Sequence, residues 1–370
     1  MKKILMIGPF PDPVHGMSMA NEILFHGLTV KGYKMDHINT ALLSKIQSAK
    51  DQKKISFEKF FIAIKHLTGE LVKLFRNKYD LVYITPGHSF MGFMRYSPYM
   101  LSCMIKKTPY ILHSHGGQLG HTYKAAGFLK QALLKFFIRK SNGGIVLGES
   151  LKWMFQQILP QEKIFICHNG ISEDVQSSRE DIEKKLNRDK GQLRLLYLSN
   201  LMEEKGILDL LKSLRYLEEE KIDFNLDLAG NIEKNLEKSV FSLIDKHKDK
   251  VNYLGVVTGE EKRKLLLKND IFLLPTYYPI EGQPISILEA MANACAIITT
   301  NQGGIRDIFK KNINGIECLK KNPSSIFTAI YKTEKKLRKF QKYNYEKAVN
   351  SYKADDFVTR IDKIITTTVK

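Results

Sequence analysis

The sequence predicts an α/β protein built from two doubly wound domains in tandem, with a cleft between them. Three observations carry this. Short apolar runs alternate with longer segments of helical spacing, and the alternation occurs twice. A polar stretch, residues 173–192, separates the two series. The length, 370 residues, favours two domains at roughly 150 residues each.

In the first series, strands are predicted at Lys3–Gly8, Lys34–Ile38, Asp80–Thr85, Pro109–Ser114, Gly143–Leu147 and Lys163–Cys167. Helical spacing lies between them, as in Phe57, Phe60, Phe61, Ile64, Leu67, Leu71 and Leu74. The stretch EDVQSSREDIEKKLNRDKGQ reads as a connection. The second series predicts strands at Arg194–Ser199, Phe224–Ala229, Val251–Leu254, Ile271–Leu274 and Ala296–Thr299. Its helices start near Gly206, Glu233, Glu260, Pro284 and Ser324, and the stretch from Tyr345 onward is again helical. The expected divisions are 1–172, 173–192, 193–348 and 349–370. In such sheets, ligands bind beyond the carboxyl ends of the strands.

Composition narrows the function. The chain is 43% hydrophobic and 26% charged, which excludes wholesale disorder. No apolar run is long enough to span a bilayer. MKKILMIGPF reads as a buried strand, not a signal peptide. Cys103, Cys167, Cys295 and Cys318 form no Cys-x-x-Cys pair, which fits a reduced cytosolic interior. The net charge is +19, and residues 1–170 hold most of it, with 23 Lys and Arg against 9 Asp and Glu. Such a chain is expected to meet an anionic partner.

Four motifs carry chemistry. The loop from Gly8 to Gly16-Met17-Ser18 opens a helix, where backbone N–H groups approach an anion or a Pro-rich turn simply needs a flexible residue. It is neither a dinucleotide fingerprint nor a P-loop. His113-Ser-His115-Gly-Gly closes the fourth strand. A histidine there faces a ligand, and no third metal ligand is evident, so no metal is expected. Ser199-Asn200-Leu-Met-Glu-Glu-Lys205-Gly206 places a lysine before a helix, either against a diphosphate or in a solvated turn. The most specific is Glu281-Gly282-Gln283-Pro284-Ile285-Ser286-Ile-Leu-Glu289, with one carboxylate in a loop and one on the helix that follows. One carboxylate suits sugar hydroxyls and the other a ribose diol. Asn301-Gln-Gly303-Gly304-Ile-Arg-Asp307 supplies a further glycine turn.

Together these residues resemble the glycosyltransferase family 4 group, retaining sugar-nucleotide enzymes of GT-B architecture with two tandem Rossmann-like domains. The resemblance covers nearly the whole chain and is strongest from Leu196 to Ile308. Glu281 and Glu289 match the family's Glu-x7-Glu, Lys205 its diphosphate lysine, Gly16 its first-domain glycine and His115 its sugar-side histidine. His168-Asn169-Gly170-Ile171 matches its interdomain element, and residues 353–369 its helix crossing back to the first domain. Asn200 stands where the family has arginine, Met17 for its second loop glycine, Ala294 and Ala296 for a Gly and a Pro, and Asp307 for a Glu.

The resemblance implies a retaining, metal-independent transfer from a nucleotide diphosphate sugar, expected to be UDP-linked, with no cofactor. Catalytic roles fall on His115, Glu281 and Lys205. Substrate contacts fall on Gly16, Met17, Asn200, Lys205, Val256, Gly282, Gln283, Pro284, Ile285, Ser286 and Glu289. A non-hydrolysing sugar-nucleotide epimerase has the same two-domain plan. An inactive scaffold and a nucleic-acid-binding protein are the non-enzyme alternatives, although no nucleic-acid module is recognisable.

The basic amphipathic segments 53–78 and 123–140, the latter with Phe128, Leu133, Phe136 and Phe137, suit an anionic membrane interface as well as an ordinary packed helix. They point to a cytoplasmic protein peripheral on the inner membrane face. Its acceptor would be a lipid-diphosphate-linked saccharide in cell-surface polysaccharide assembly, such as capsule.

Overall fold

The computed structural model describes residues 1–12, 16–40, 69–189 and 191–369. It divides the chain into two units, Met1–Gly170 with Ala354–Lys370, and Ile171–Lys353. Each unit holds a six-stranded parallel sheet. Two such Rossmann-like units are the GT-B architecture that the sequence predicts.

In the first unit the sheet order is β2-β1-β3-β4-β5-β6. The strands are β1 (Lys3–Gly8), β2 (Lys34–Asn39), β3 (Leu81–Ile84), β4 (Tyr110–Ser114), β5 (Gly143–Val146) and β6 (Ile164–Ile166). A parallel sheet covered on both faces needs apolar residues on both sides of each strand. In β1, Leu5 and Ile7 enter one core while Ile4 and Met6 enter the other. The first core lies under α2 (Phe90–Met94), α3 (Ser97–Lys106), α4 (Gln118–Ala125) and α5 (Phe128–Lys140). The second packs against α1 (Gly16–Val30) and a helix from the far end of the chain, Ala354–Thr368. Polar ties reinforce that contact: Tyr33 donates to Asp362 at 2.6 Å and Arg360 to the His168 carbonyl at 3.2 Å.

In the second unit the order is β12-β11-β10-β7-β8-β9. Its strands are β7 (Leu193–Leu198), β8 (Phe224–Ala229), β9 (Val251–Tyr253), β10 (Ile271–Leu274), β11 (Ala296–Thr299) and β12 (Gly315–Glu317). Helices α6 (Arg179–Asn187), α7 (Ile207–Glu219), α8 (Glu237–Asp245), α9 (Gly259–Lys268), α10 (Ile285–Ala292), α11 (Pro323–Glu334) and α12 (Leu337–Ser351) complete it. The chain proceeds β7-β8-β9 in one direction and β10-β11-β12 in the other. The order therefore reverses between β7 and β10, which is where doubly wound sheets take ligands.

Residues 173–192, predicted as a connection, fold as part of this unit. Ser178 caps α6 by accepting from the Asp181 N–H, and Val175 and Ile182 enter the core. Lys185 is buried too, and its ammonium donates to the carbonyls of Leu266 (3.0 Å) and Asn293 (2.6 Å). Burial pulls its pKa down.

The helical tail is two elements, α12 and α13 (Ala354–Thr368), broken at Tyr352–Lys353. Of the segment 53–78, residues 53–68 lie outside the described residues, and residues 69–76 are helical. Among the described residues, no helix is long and apolar enough to cross a membrane.

The helix α5 departs from the single stripe expected. Leu134, Phe137 and Ile138 pack into the unit, while Phe128, Leu129, Leu133 and Phe136 are exposed, Phe128 at 83% and Leu129 at 75%. The helix thus carries two apolar faces, and the outer one is flanked by Lys130, Lys135, Arg139 and Lys140.

Candidate functional site

The two strands at the reversal in the second unit each end in a turn that holds a predicted residue. After β7, the 3-10 turn Glu203–Lys205 leads to Gly206, which adopts φ +80° and starts α7. A Cβ on Gly206 would lie 2.3 Å from the Pro275 carbonyl oxygen. Glycine is required there twice over, by its backbone angle and by the close approach. That approach sets Lys205 against the loop after β10. Its ammonium lies 2.8 Å from Glu281 Oε1 and 2.7 Å from Oε2. Both side chains are largely buried, and the ammonium also lies 4.9 Å from the centre of the Tyr278 ring.

Glu281 is held from several sides. Thr276 Oγ1 lies 2.9 Å from Oε2 and also reaches the Glu204 carbonyl at 3.2 Å. The Gly303-Gly304 turn packs on the Glu281 backbone: Gly304 N–H donates to its carbonyl at 3.3 Å, and a Cβ on Gly303 would lie 2.1 Å from that oxygen. Gln302 donates to the Tyr278 carbonyl at 2.8 Å, and Thr300 donates to the Thr276 carbonyl. Beneath the pair, burial first and then the Glu281 charge push the Tyr197 phenol well up, so it stays protonated and donates to the Asn200 carbonyl at 3.0 Å. The Asn200 side chain itself is exposed. Burial, with Glu281 and Glu204 nearby, also raises Tyr278.

The loop then enters α10. Gly282 is half-buried and Gln283 is buried. Pro284, expected within the helix, is its N-cap, with φ −63° and ψ 115°. Ile285 and Ser286 therefore form the first turn, whose N–H groups have no intrahelical partners. Glu289 lies one turn further on and is buried, with Oε1 2.6 Å from Lys262 Nζ on α9. Val256, in the loop before α9, is 67% exposed.

Lys262 and Thr276 were not singled out in the sequence. A lysine in the first turns of a helix, where the dipole disfavours cations, was the available signal for Lys262. A small hydroxyl immediately after the strand-ending Pro275 was the signal for Thr276.

In the first unit, the reversal falls between β1 and β3. Gly16 starts α1 and Met17 follows it. The Asn21 side chain on α1 donates to the Pro9 carbonyl (2.8 Å) and to Thr85 Oγ1 (2.9 Å), tying the ends of the two strands together. His115 lies just beyond β4, half-buried, with its ring centre 4.1 Å from that of His113. His113 is wholly buried and paired with the Tyr83 hydroxyl, and burial pushes its pKa far down. It is a neutral structural histidine. Among the described residues, no cluster of His, Cys, Asp and Glu suited to a metal occurs.

Beyond β3 lies His88. Its Nε2 is buried and has no hydrogen-bond partner among the described residues, and burial lowers its pKa to about 4. An unfolded histidine takes a proton near pH 6.5, so the unfolded state binds the proton first. Stability is therefore expected to fall as the pH drops from about 6.5 towards about 4, by about 3 kcal/mol from this residue. Chemical denaturation of the wild type and His88→Gln across that range checks it. The variant should show a flatter curve.

Residues 178–348 match the family model of glycosyl transferases group 1. An uncharacterized glycosyltransferase of Methanocaldococcus jannaschii is 28% identical over 60% of this chain and 59% of its own length. The amylovoran biosynthesis glycosyltransferase AmsK of Erwinia amylovora is 28% identical over 46% of this chain and 42% of its own. The chain thus spans about half the length of these curated relatives. The structure of Anabaena HepE in complex with UDP has the same fold, with TM-score 0.75, 14% identity, and coverage of 99% of this chain and 100% of that one. Residues 178–348, which lie within the second unit and include the Lys205–Glu281 pair, are thus similar to glycosyl transferases group 1.

Proposed function

We propose that the protein is a retaining, metal-independent glycosyltransferase of the family 4 type. It moves a sugar from a UDP-sugar to a saccharide acceptor in cell-surface polysaccharide assembly. The observation that carries this is the Lys205–Glu281 pair at the β7/β10 reversal, inside the segment that matches the family. The name of AmsK and the UDP bound to HepE support the pathway and the nucleotide.

The difficult event is departure of a diphosphate from the anomeric carbon. An ammonium has three N–H donors, and Lys205 directs two at Glu281, leaving one for a diphosphate oxygen. Charge that develops as the bond breaks is stabilised by a donor already fixed in place. The first-turn N–H groups of α10 add to the positive field. Glu281 takes sugar hydroxyls and Glu289 the ribose diol. The acceptor attacks from the side the diphosphate leaves, and the departing phosphate oxygen takes its proton. In the first unit we assign His115 to the sugar and the start of α1, with Gly16 and Met17, to anion recognition.

The outer face of α5 supports a lipid-linked acceptor. Exposed Phe128, Leu129, Leu133 and Phe136 beside four cations suit an anionic bilayer, each cation adding about 1 kcal/mol near the surface. We therefore place the protein on the cytoplasmic face of a membrane.

The test is a panel of nucleotide sugars screened for binding and slow hydrolysis, then for transfer on anionic vesicles bearing polyprenyl-diphosphate saccharides. A UDP-sugar hit with transfer, and sedimentation with those vesicles at low salt, is expected. Epimer formation without acceptor would replace this reading with the epimerase. Failure of every nucleotide sugar to bind would end it.

A further inference from the structure

Glu289 is a buried carboxylate whose side chain pairs, among the described residues, with Lys262 at 2.6 Å. The lysine comes from a different helix, 27 residues earlier. Its placement runs against the local field. Lys262 N–H donates to the Thr258 carbonyl, so the residue lies at the start of α9, where the helix dipole opposes a cation. Its neighbours Arg263 and Lys264 pair with Glu260 on the exposed surface of the same helix. Lys262 instead reaches to α10.

The pairing is one-sided. The ammonium contacts Oε1, so a second lone pair on Oε1 and both on Oε2 stay available to donors. Two adjacent acceptor oxygens are what a vicinal diol needs. Without Lys262, the carboxylate would be buried without a counter-charge. It would then be left to turn away from that position and be lost as an acceptor for the diol.

We propose that Lys262 is a positioning residue: it holds the Glu289 carboxylate aimed for the two ribose hydroxyls of the nucleotide, so that recognition of ribose depends on α9 as well as α10. This rests on the reading that Glu289 takes the ribose diol.

The test compares UDP with 2′,3′-dideoxy-UDP by calorimetry, on the wild type, Lys262→Met, Lys262→Gln and Lys262→Arg. The wild type is expected to prefer UDP by about tenfold or more, the usual worth of hydrogen bonds to a charged group. In the Met and Gln variants UDP affinity falls until the preference nears one, while dideoxy-UDP affinity stays within about twofold, the loss being confined to the ribose hydroxyls. The Arg variant retains most of the preference. Two results would overturn the inference while leaving the nucleotide reading intact. One is a wild-type preference that survives both substitutions. The other is an equal loss for both ligands, as a merely structural pair would give. If the folded wild type binds neither ligand, the nucleotide reading fails and the inference with it. Thermal unfolding shows which variants are folded, and Gln serves if Met is not.

Discussion

Replacing Lys205 with methionine is expected to reduce transfer by about 10²–10³-fold, the effect of removing one fixed donor from a developing negative charge. It should also destabilise the protein. Glu281 is buried, and methionine would leave its carboxylate without the cation that meets both oxygens. Removing one partner of a buried pair costs about 3–5 kcal/mol, and the Thr276 hydroxyl, still within 2.9 Å, keeps the cost at the low end of that range. The two effects separate in the double variant Lys205→Met with Glu281→Gln. A neutral amide needs no counter-charge, so the melting temperature should recover while turnover stays low. Steady-state kinetics and calorimetric unfolding on the wild type and the two variants decide the matter. Near-wild-type turnover in Lys205→Met would remove the pair from the chemistry.

The second large effect is expected at Gly206. Alanine at φ +80° costs about 1–2 kcal/mol through its backbone angle alone. Its Cβ would also lie 2.3 Å from the Pro275 carbonyl oxygen and 2.9 Å from the carbonyl carbon, so backbone must move. A built-in control exists. Gly32 has φ +89°, but nothing lies within 4 Å of its Cβ position. Gly32→Ala should cost the angle only, and the difference between the two variants measures the clash. Because this approach sets Lys205 against Glu281, Gly206→Ala should also lose turnover, whereas Gly32→Ala should not. Equal destabilisation by the two would show that the turn tolerates the side chain.

Much of this organisation is legible in the sequence. The strands at Lys3–Gly8, Phe224–Ala229, Ile271–Leu274 and Ala296–Thr299 lie where their apolar runs predict. Parallel strands buried on both faces announce themselves by continuous hydrophobicity. The strand Gly315–Glu317 escaped because three residues opening on glycine look like a turn. The segment 173–192 misled because its composition is polar, while a few buried positions among its described residues, Val175, Ser177, Ile182 and Lys185, decide where it packs. In α5, a single list of phenylalanines hides two faces, since Phe136 and Phe137 point to opposite environments.

The site divides in the same way. Lys205, Glu281 and Glu289 are visible because each follows a strand at a fixed offset. Whether they meet one another is not. The Lys205–Glu281 contact joins residues 76 apart, and the Glu289–Lys262 contact joins two helices. Such pairings depend on how strand ends are ordered in the sheet, which spacing along the chain does not encode.

The first unit is assembled from two stretches of chain, with the whole second unit inserted between them. The covering of one face of its sheet, where Phe357, Val358, Ile361 and Ile365 meet Leu24 and Leu28, comes from a stretch made after the second unit. During synthesis the second unit has all its residues once Lys353 is made, while the first, begun much earlier, still exposes that apolar face. The order of completion is therefore the reverse of the order of translation. A chain stopped after Lys353 would keep a finished second unit and an N-terminal sheet open to aggregation.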